Sequence, residues 1–122
     1  MPASVFEITK SAQFDAAHFL LEGPDPAYRR VHGHSFQVEA TVRGEAAGPV
    51  GWVADLGKLD RALKAAAARL DHGTLNDVDG LESPTLERLC LWFADQLRGE
   101  FPNLSRVTVA RPTVGERCAL DL

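Results

Sequence analysis

The stretch His32-Gly33-His34-Ser35-Phe36-Gln37-Val38-Glu39-Ala40-Thr41-Val42-Arg43 decides the fold. Phe36, Val38, Ala40 and Val42 alternate with Gln37, Glu39, Thr41 and Arg43, and a period of two is that of a strand with one dry and one wet face. In extended chain, residues two apart point the same way, so His32 and His34 share a side. Gly33 between them is read as relieving crowding around whatever they hold. Upstream, Val5 to Phe14 forms a weaker strand with Phe6 and Ile8 on one side. Residues 19 to 31, carrying Gly23, Pro24 and Pro26, are an irregular excursion joining the two. Antiparallel pairing of 5–18 with 32–43 then brings His18 beside His32 and His34.

Three imidazoles at one point suit zinc. Three protein ligands leave the fourth position to water or substrate, which distinguishes a catalytic site from a closed structural one. A His-x-His pair is commonly a surface coincidence and a lone histidine commonly a packed one. The joint placement at two strand ends beside a polar loop carries the reading.

Downstream, Gly44 to Gly51 ends the strand. Asp55 is an N-cap candidate for a helix whose stripe is Leu56, Leu59, Leu63, Ala66 and Leu70, stopping near Asp71 to Gly73. Ser83-Pro84 opens a second helix, with the serine as cap and Leu86, Leu89, Cys90, Phe93 and Leu97 buried, closed by Gly99. Residues 105–110 and 118–122 read as two further strands. The order ββααββ predicts an α+β fold in one domain spanning 1–122, a four-stranded antiparallel sheet with two helices on one face. Its unpaired edge strands favour a homo-oligomer joined edge to edge.

The 122 residues are 45% hydrophobic and 25% charged, which excludes a disordered or collagen-like chain. A net charge of -4, with no basic run longer than Arg29-Arg30, argues against nucleic acid as a partner. Two arginines are still enough for a few phosphate oxygens on a small molecule. Cys90 and Cys118 belong to no Cys-x-x-Cys pair, so neither a disulfide framework nor a cysteine zinc site is indicated. Met1 to Lys10 shows no basic segment followed by a long apolar run, and no stretch approaches a membrane span, so a cytoplasmic location is expected.

His72 follows Asp71 at the expected end of the first helix. It is either a cation complementing the helix C-terminus or an acid/base group oriented by the carboxylate. Adjacent residues do not face each other on a helix, so the second reading requires a turn around Gly73.

Ala16-Ala17-His18, His32-Gly33-His34-Ser35-Phe36, Leu70-Asp71-His72 with Leu75-Asn76-Asp77, and Pro84-Thr85-x-Glu87 occur in the order seen in the 6-pyruvoyl-tetrahydropterin and 6-carboxytetrahydropterin synthases. Over nearly its whole length the chain resembles that family, and most closely its bacterial branch feeding queuosine biosynthesis. The resemblance implies a tunnel-type fold (T-fold) whose subunits close a barrel, usually as a homohexamer, with active sites between subunits; a trimer or hexamer is expected. It implies 7,8-dihydroneopterin triphosphate, a pterin-like triphosphate, as substrate. It further implies zinc on His18, His32 and His34, with proton transfer by Asp71 and His72.

Two positions depart from the family pattern. Tyr28 stands four residues before His32, where bacterial members carry cysteine. Arg111 stands where simple alignment puts a ring-anchoring glutamate, and an arginine has no acceptor for the pterin's N–H groups. Tyr28 is thus the candidate acid/base, with Glu22 or Asp25 as carboxylates of the same loop, and Glu116 is the candidate replacement anchor if the Thr113 to Glu116 turn folds inward. Arg29, Arg30, Arg111 and Glu116 make the candidate substrate-binding set. Three functions follow: a zinc-dependent lyase on dihydroneopterin triphosphate or a close relative; a paralogue with changed substrate or lost synthase activity; and, last, a non-enzymatic oligomeric binding module. The asn-asp pair Asn76-Asp77 and the Thr85/Glu87 pair are read as shaping a turn and a helix start.

Overall fold

In the computed structural model, which describes residues 3–122, β1 (Val5–His18) and β2 (His32–Glu45) pair antiparallel without a break, from Val5 opposite Glu45 to His18 opposite His32. The expected pairing of 5–18 with 32–43 holds, and β2 runs two residues further at its far end, to Glu45. Ala16 and His18 continue the buried face of Phe14, so the pattern persists although its residues become smaller and polar. Met1 and Pro2, the start of the expected 1–122 domain and of the amino-terminal reading, lie outside the described residues.

The excursion between β1 and β2, where glycine and proline predict loop, contains a short helix, α1 (Pro26–Arg29). Asp25 starts it, its Oδ1 accepting from Ala27 N at 2.8 Å, and Pro26 is already set for a helical first turn. Gly23 is required here by proximity: a Cβ on it would lie 2.6 Å from that of Tyr28. Leu20 N donates to Tyr28 O at 2.7 Å, so the loop folds back and holds Tyr28 over the end of β1.

α2 (Leu56–Ala68) is capped by Asp55, whose Oδ1 accepts from Gly57 N and Lys58 N. Leu59, Leu63, Ala66 and Ala67 are its buried residues. Leu56 is 43% exposed, not part of the stripe, and the helix stops before Leu70, which is buried in the following turn. α3 (Leu86–Leu97) buries the expected Leu86, Leu89, Cys90, Phe93 and Leu97, together with Trp92 and Ala94. Its cap is Thr85, which accepts from Arg88 N at 3.1 Å, and not Ser83. The helix starts at Leu86, so Ser83 and Pro84 lie ahead of its first turn.

β3 (Leu104–Arg111) pairs antiparallel with β2, and β4 (Glu116–Asp121) with β3, giving the order β1-β2-β3-β4. The expected ββααββ order and four-stranded antiparallel sheet hold. Phe14, Phe36, Val38, Val107 and Val109 of the sheet and Leu59, Leu63 and Phe93 of the helices share one core. The opposite face is polar and carries ion pairs such as Glu7 with Arg106 at 2.8 Å. Among the described residues no helix is long and apolar enough to cross a membrane.

Candidate metal centre

Register builds the centre. His18 faces His32 directly, Ala16 faces His34, and the period of two keeps all three imidazoles on the core-side face, beyond the stacked rings of Phe14 and Phe36. Ring centroids are 4.6 Å apart for His18 and His32, 5.2 Å for His18 and His34, and 5.0 Å for His32 and His34. One nitrogen from each lies within 4.8 Å of the others. Gly33 does not serve as expected. A side chain there would point to the opposite face, and a Cβ would meet Ala16 O at an ordinary 3.5 Å.

The outer partners select the tautomers. His18 Nδ1 lies 3.1 Å from Pro84 O and His32 Nδ1 lies 2.7 Å from Arg30 O. A carbonyl only accepts, so each Nδ1 carries the proton and each Nε2 presents a lone pair, as outer partners do for metal-bound histidine. His18 is 1% exposed, yet its Nε2 is buried with no hydrogen-bond partner. A buried polar atom left unpaired is costly, and a cation at the point of convergence satisfies it. Burial pushes His18 down to about 4, outweighing the Pro84 bond, with His32, His34 and Arg111 adding to the shift. His34 is also lowered, by burial first and then by Arg111 and His32. Both therefore stand as neutral imidazoles near pH 7, the ligating form. The residues present fit a zinc ion.

Around the histidines lies a recess of about 290 Å³ lined by His18, Leu20, Tyr28, His32, His34, Arg111, Val114 and Glu116. The turn from Pro112 to Val114, closed by Gly115 at φ 71°, folds β4 back so that Glu116 stands opposite Arg111. Glu116 Oε1 is 3.0 Å from Arg111 Nε, with Glu116 half exposed at the recess mouth and Arg111 largely covered. That approach lacks the alignment of a hydrogen bond, and Arg111 Nε remains buried without one.

Other candidates lie elsewhere. Arg29 donates from Nη1 to Gly23 O at 3.0 Å and, like Arg30, is outside the lining of the recess. Asp25 is committed to capping α1, and Glu22 is exposed and likewise outside the lining. Cys90 is fully buried between α3 and β4, where burial, with Cys118 beside it, pushes its thiol up to about 12.

Asp71 and His72 follow the end of α2 in a segment laid against the edge of β1: His72 N donates to Asp15 O at 2.7 Å and Ala17 N to Gly73 O at 2.9 Å. His72 sits at φ 59°, an unusual conformation for a side-chain-bearing residue and one that turns it back onto Asp71. Its Nδ1 meets Asp71 Oδ2 at 2.9 Å while Asp71 Oδ1 accepts from Asp15 N at 2.9 Å. The turn anticipated around Gly73 thus occurs at His72 itself, outside any helix. The Asp71 carboxylate raises the His72 pKa. Asp71 is itself lowered by the Asp15 N–H first and His72 second. His72 opens onto a wider recess of about 700 Å³, and His34 lines both recesses.

Two positioning residues were not legible. Pro84 acts through its carbonyl, which no side-chain pattern announces. Asn76, read only as a turn former, reaches back to pin Phe19, accepting from its N at 3.1 Å and donating to its O at 2.8 Å. It thereby fixes the residue next to His18.

An α+β domain with a four-stranded antiparallel sheet and three histidines gathered at paired strand ends defines the class. A sequence profile described as 6-pyruvoyl tetrahydropterin synthase matches residues 7–121, and the chain belongs to that family. It is 37% identical over 108 residues, 84% of this chain and 83% of the relative, to a 6-carboxy-5,6,7,8-tetrahydropterin synthase of Synechocystis. It is 34% identical over 91 residues, 75% of this chain and 74% of the relative, to a dihydroneopterin monophosphate aldolase of Pyrococcus furiosus. The Caenorhabditis elegans 6-pyruvoyl tetrahydropterin synthase structure superposes with a TM-score of 0.84 at 22% identity, covering 100% of this chain and 99% of that one, so the T-fold architecture is shared.

Proposed function

We propose that this protein is a zinc-dependent lyase that cleaves the side chain of a phosphorylated 7,8-dihydroneopterin. The observation that carries the reading is the buried, unpartnered Nε2 of His18, aimed at the point where His32 and His34 also converge. Relatives named for a carboxytetrahydropterin synthase and for a monophosphate aldolase support the substrate class. When bound to His18, His32 and His34, zinc supplies Lewis acidity toward the substrate's side-chain oxygens. His72, held by Asp71 through Nδ1, presents Nε2 to take the proton of a side-chain hydroxyl, and the carboxylate steadies the imidazolium that results. The C1′–C2′ bond then breaks: the deprotonated C2′ oxygen becomes the carbonyl of the departing phosphorylated aldehyde, the bond's electrons pass into the dihydropterin ring, and C1′ takes a proton from Tyr28, leaving a hydroxymethyl group on the ring.

His72 and Tyr28 line different recesses of one chain. A homo-oligomer, trimer or hexamer, that apposes the wide recess of one copy to the histidines of the next brings the two into one site. A cytoplasmic location and a place in queuosine biosynthesis accompany the synthase form of this reading. The second reading, a paralogue with changed substrate, is favoured by Tyr28 and Arg111: among the described residues no cysteine lines either recess.

The test is incubation of the zinc-loaded protein with dihydroneopterin monophosphate and triphosphate, with product analysis. Carboxytetrahydropterin from the triphosphate identifies the synthase form, and hydroxymethyl-dihydropterin identifies the changed-substrate form. Consumption of neither refutes the lyase proposal.

A further inference from the structure

We propose that Arg111 is the specificity-determining residue that grips the substrate's phosphate directly beside the three-histidine centre, with Glu116 holding the guanidinium in place until the phosphate arrives. The proposal rests on the lyase reading and names the anion-binding group of that same site.

Three observations converge on it. The first is position. Arg111 ends β3 on the face shared with Val109, which turns it inward to line the recess with His18, His32 and His34, and its charge reaches both His18 and His34. Arg29 and Arg30, the arginines expected to take the phosphates, line neither recess. The second is incomplete pairing. Glu116 meets Arg111 through Nε, 3.0 Å away, and covers that buried atom while leaving the end of the guanidinium open. With its one ionic partner, a half-exposed carboxylate, placed at Nε, the guanidinium keeps its terminal N–H groups, which make no hydrogen bond among the described residues, for a second anion. A phosphate offers the parallel oxygens that a guanidinium matches with two N–H bonds.

The third is charge. Among the residues lining the recess only Arg111 and Glu116 carry fixed charges, and they cancel. A divalent cation on the neutral imidazoles leaves two positive charges, the complement of one phosphate monoester dianion. A recess of about 290 Å³ sits at the lower edge of ordinary ligand pockets, so the group held there is compact and attached close to the metal-facing oxygens.

The experiment titrates zinc-loaded protein with 7,8-dihydroneopterin and with its monophosphate, following pterin fluorescence, in the wild type, Arg111→Gln, Arg111→Lys and Glu116→Gln. A charge-assisted arginine–phosphate contact predicts that the wild type binds the monophosphate roughly 10- to 100-fold more tightly than dihydroneopterin. The ratio falls toward one in Arg111→Gln, is partly kept in Arg111→Lys and rises in Glu116→Gln. A general loss of packing would weaken both ligands alike and leave the ratio unmoved. An unchanged ratio in folded Arg111→Gln overturns the proposal; should that variant not fold, an unchanged ratio in Glu116→Gln does so. A wild type binding both ligands equally overturns this inference and leaves the lyase reading standing, whereas one binding neither sinks both.

Discussion

His18 donates through Nδ1 to the carbonyl of Pro84 across 3.1 Å, which leaves its Nε2 bare inside the protein. The residue that ends β1 is thus oriented by the residue two before α3, and the centre is tied to the helical layer as well as to the sheet. Pro84 lends only its backbone carbonyl to this contact, and Thr85 caps the helix that follows.

Removing a ligand should therefore remove the metal. His18→Ala or His32→Ala leaves two imidazoles, and the expected loss of zinc affinity exceeds the roughly 10- to 100-fold that an outer-partner mutation costs. Metal content of the purified variant, read by elemental analysis, checks this. Full stoichiometry in either variant would refute the ligand assignment.

Asn76 should matter to both stability and metal binding although it touches no ligand. Its amide closes two hydrogen bonds with the backbone of Phe19, and Nδ2 also donates to Glu82 O at 3.2 Å. Asn76→Ala leaves partly buried backbone groups unpaired, at a cost of about 1–3 kcal/mol in urea unfolding. Zinc affinity should fall along with it. Unaltered stability would show that the loop holds His18 by other means.

The Asp71–His72 contact sets a pH signature. His72 is raised from its ordinary value of about 6.5 because Asp71 favours the imidazolium. A group raised in the folded state adds stability below its unfolded pKa and loses that contribution as pH climbs through the folded value. Asp71 is lowered, so its share is present at neutral pH and is lost as pH falls through its folded value. NMR titration should find His72 above 6.5 in the wild type and shifted downward in Asp71→Asn. No downward shift would dissolve the dyad.

How far the sequence revealed all this follows from which signals are local. Phe36 to Val42 announced their strand because burial on one face and solvent on the other forces alternation. His18 could be placed beside His32 because an unbroken antiparallel register fixes every pair once one is known. The short helix α1 escaped because four residues carry no periodicity, only the Asp25 cap and Pro26. The pairing of Glu116 with Arg111 was not readable, because it depends on the β3–β4 register. The Pro84 carbonyl and the left-handed conformation of His72 depend on where distant chain passes, and no side chain encodes them.

Tyr28 and the two cysteines give a final contrast. Cys90 donates its S–H to Cys118 O at 3.5 Å in the core, and burial holds its thiol at about 12, so at neutral pH it is neither accessible nor ionised. The native protein should protect Cys90 from a thiol reagent until denatured, and the folded Cys90→Ala/Cys118→Ala variant should retain wild-type turnover within about twofold. Tyr28 lines the recess with the histidines, and Tyr28→Phe removes one oxygen while keeping the ring. Loss of a proton donor predicts a fall in kcat of about 10²- to 10⁴-fold with little change in KM. Turnover abolished in the folded cysteine variant, or untouched in Tyr28→Phe, would assign the proton to another group.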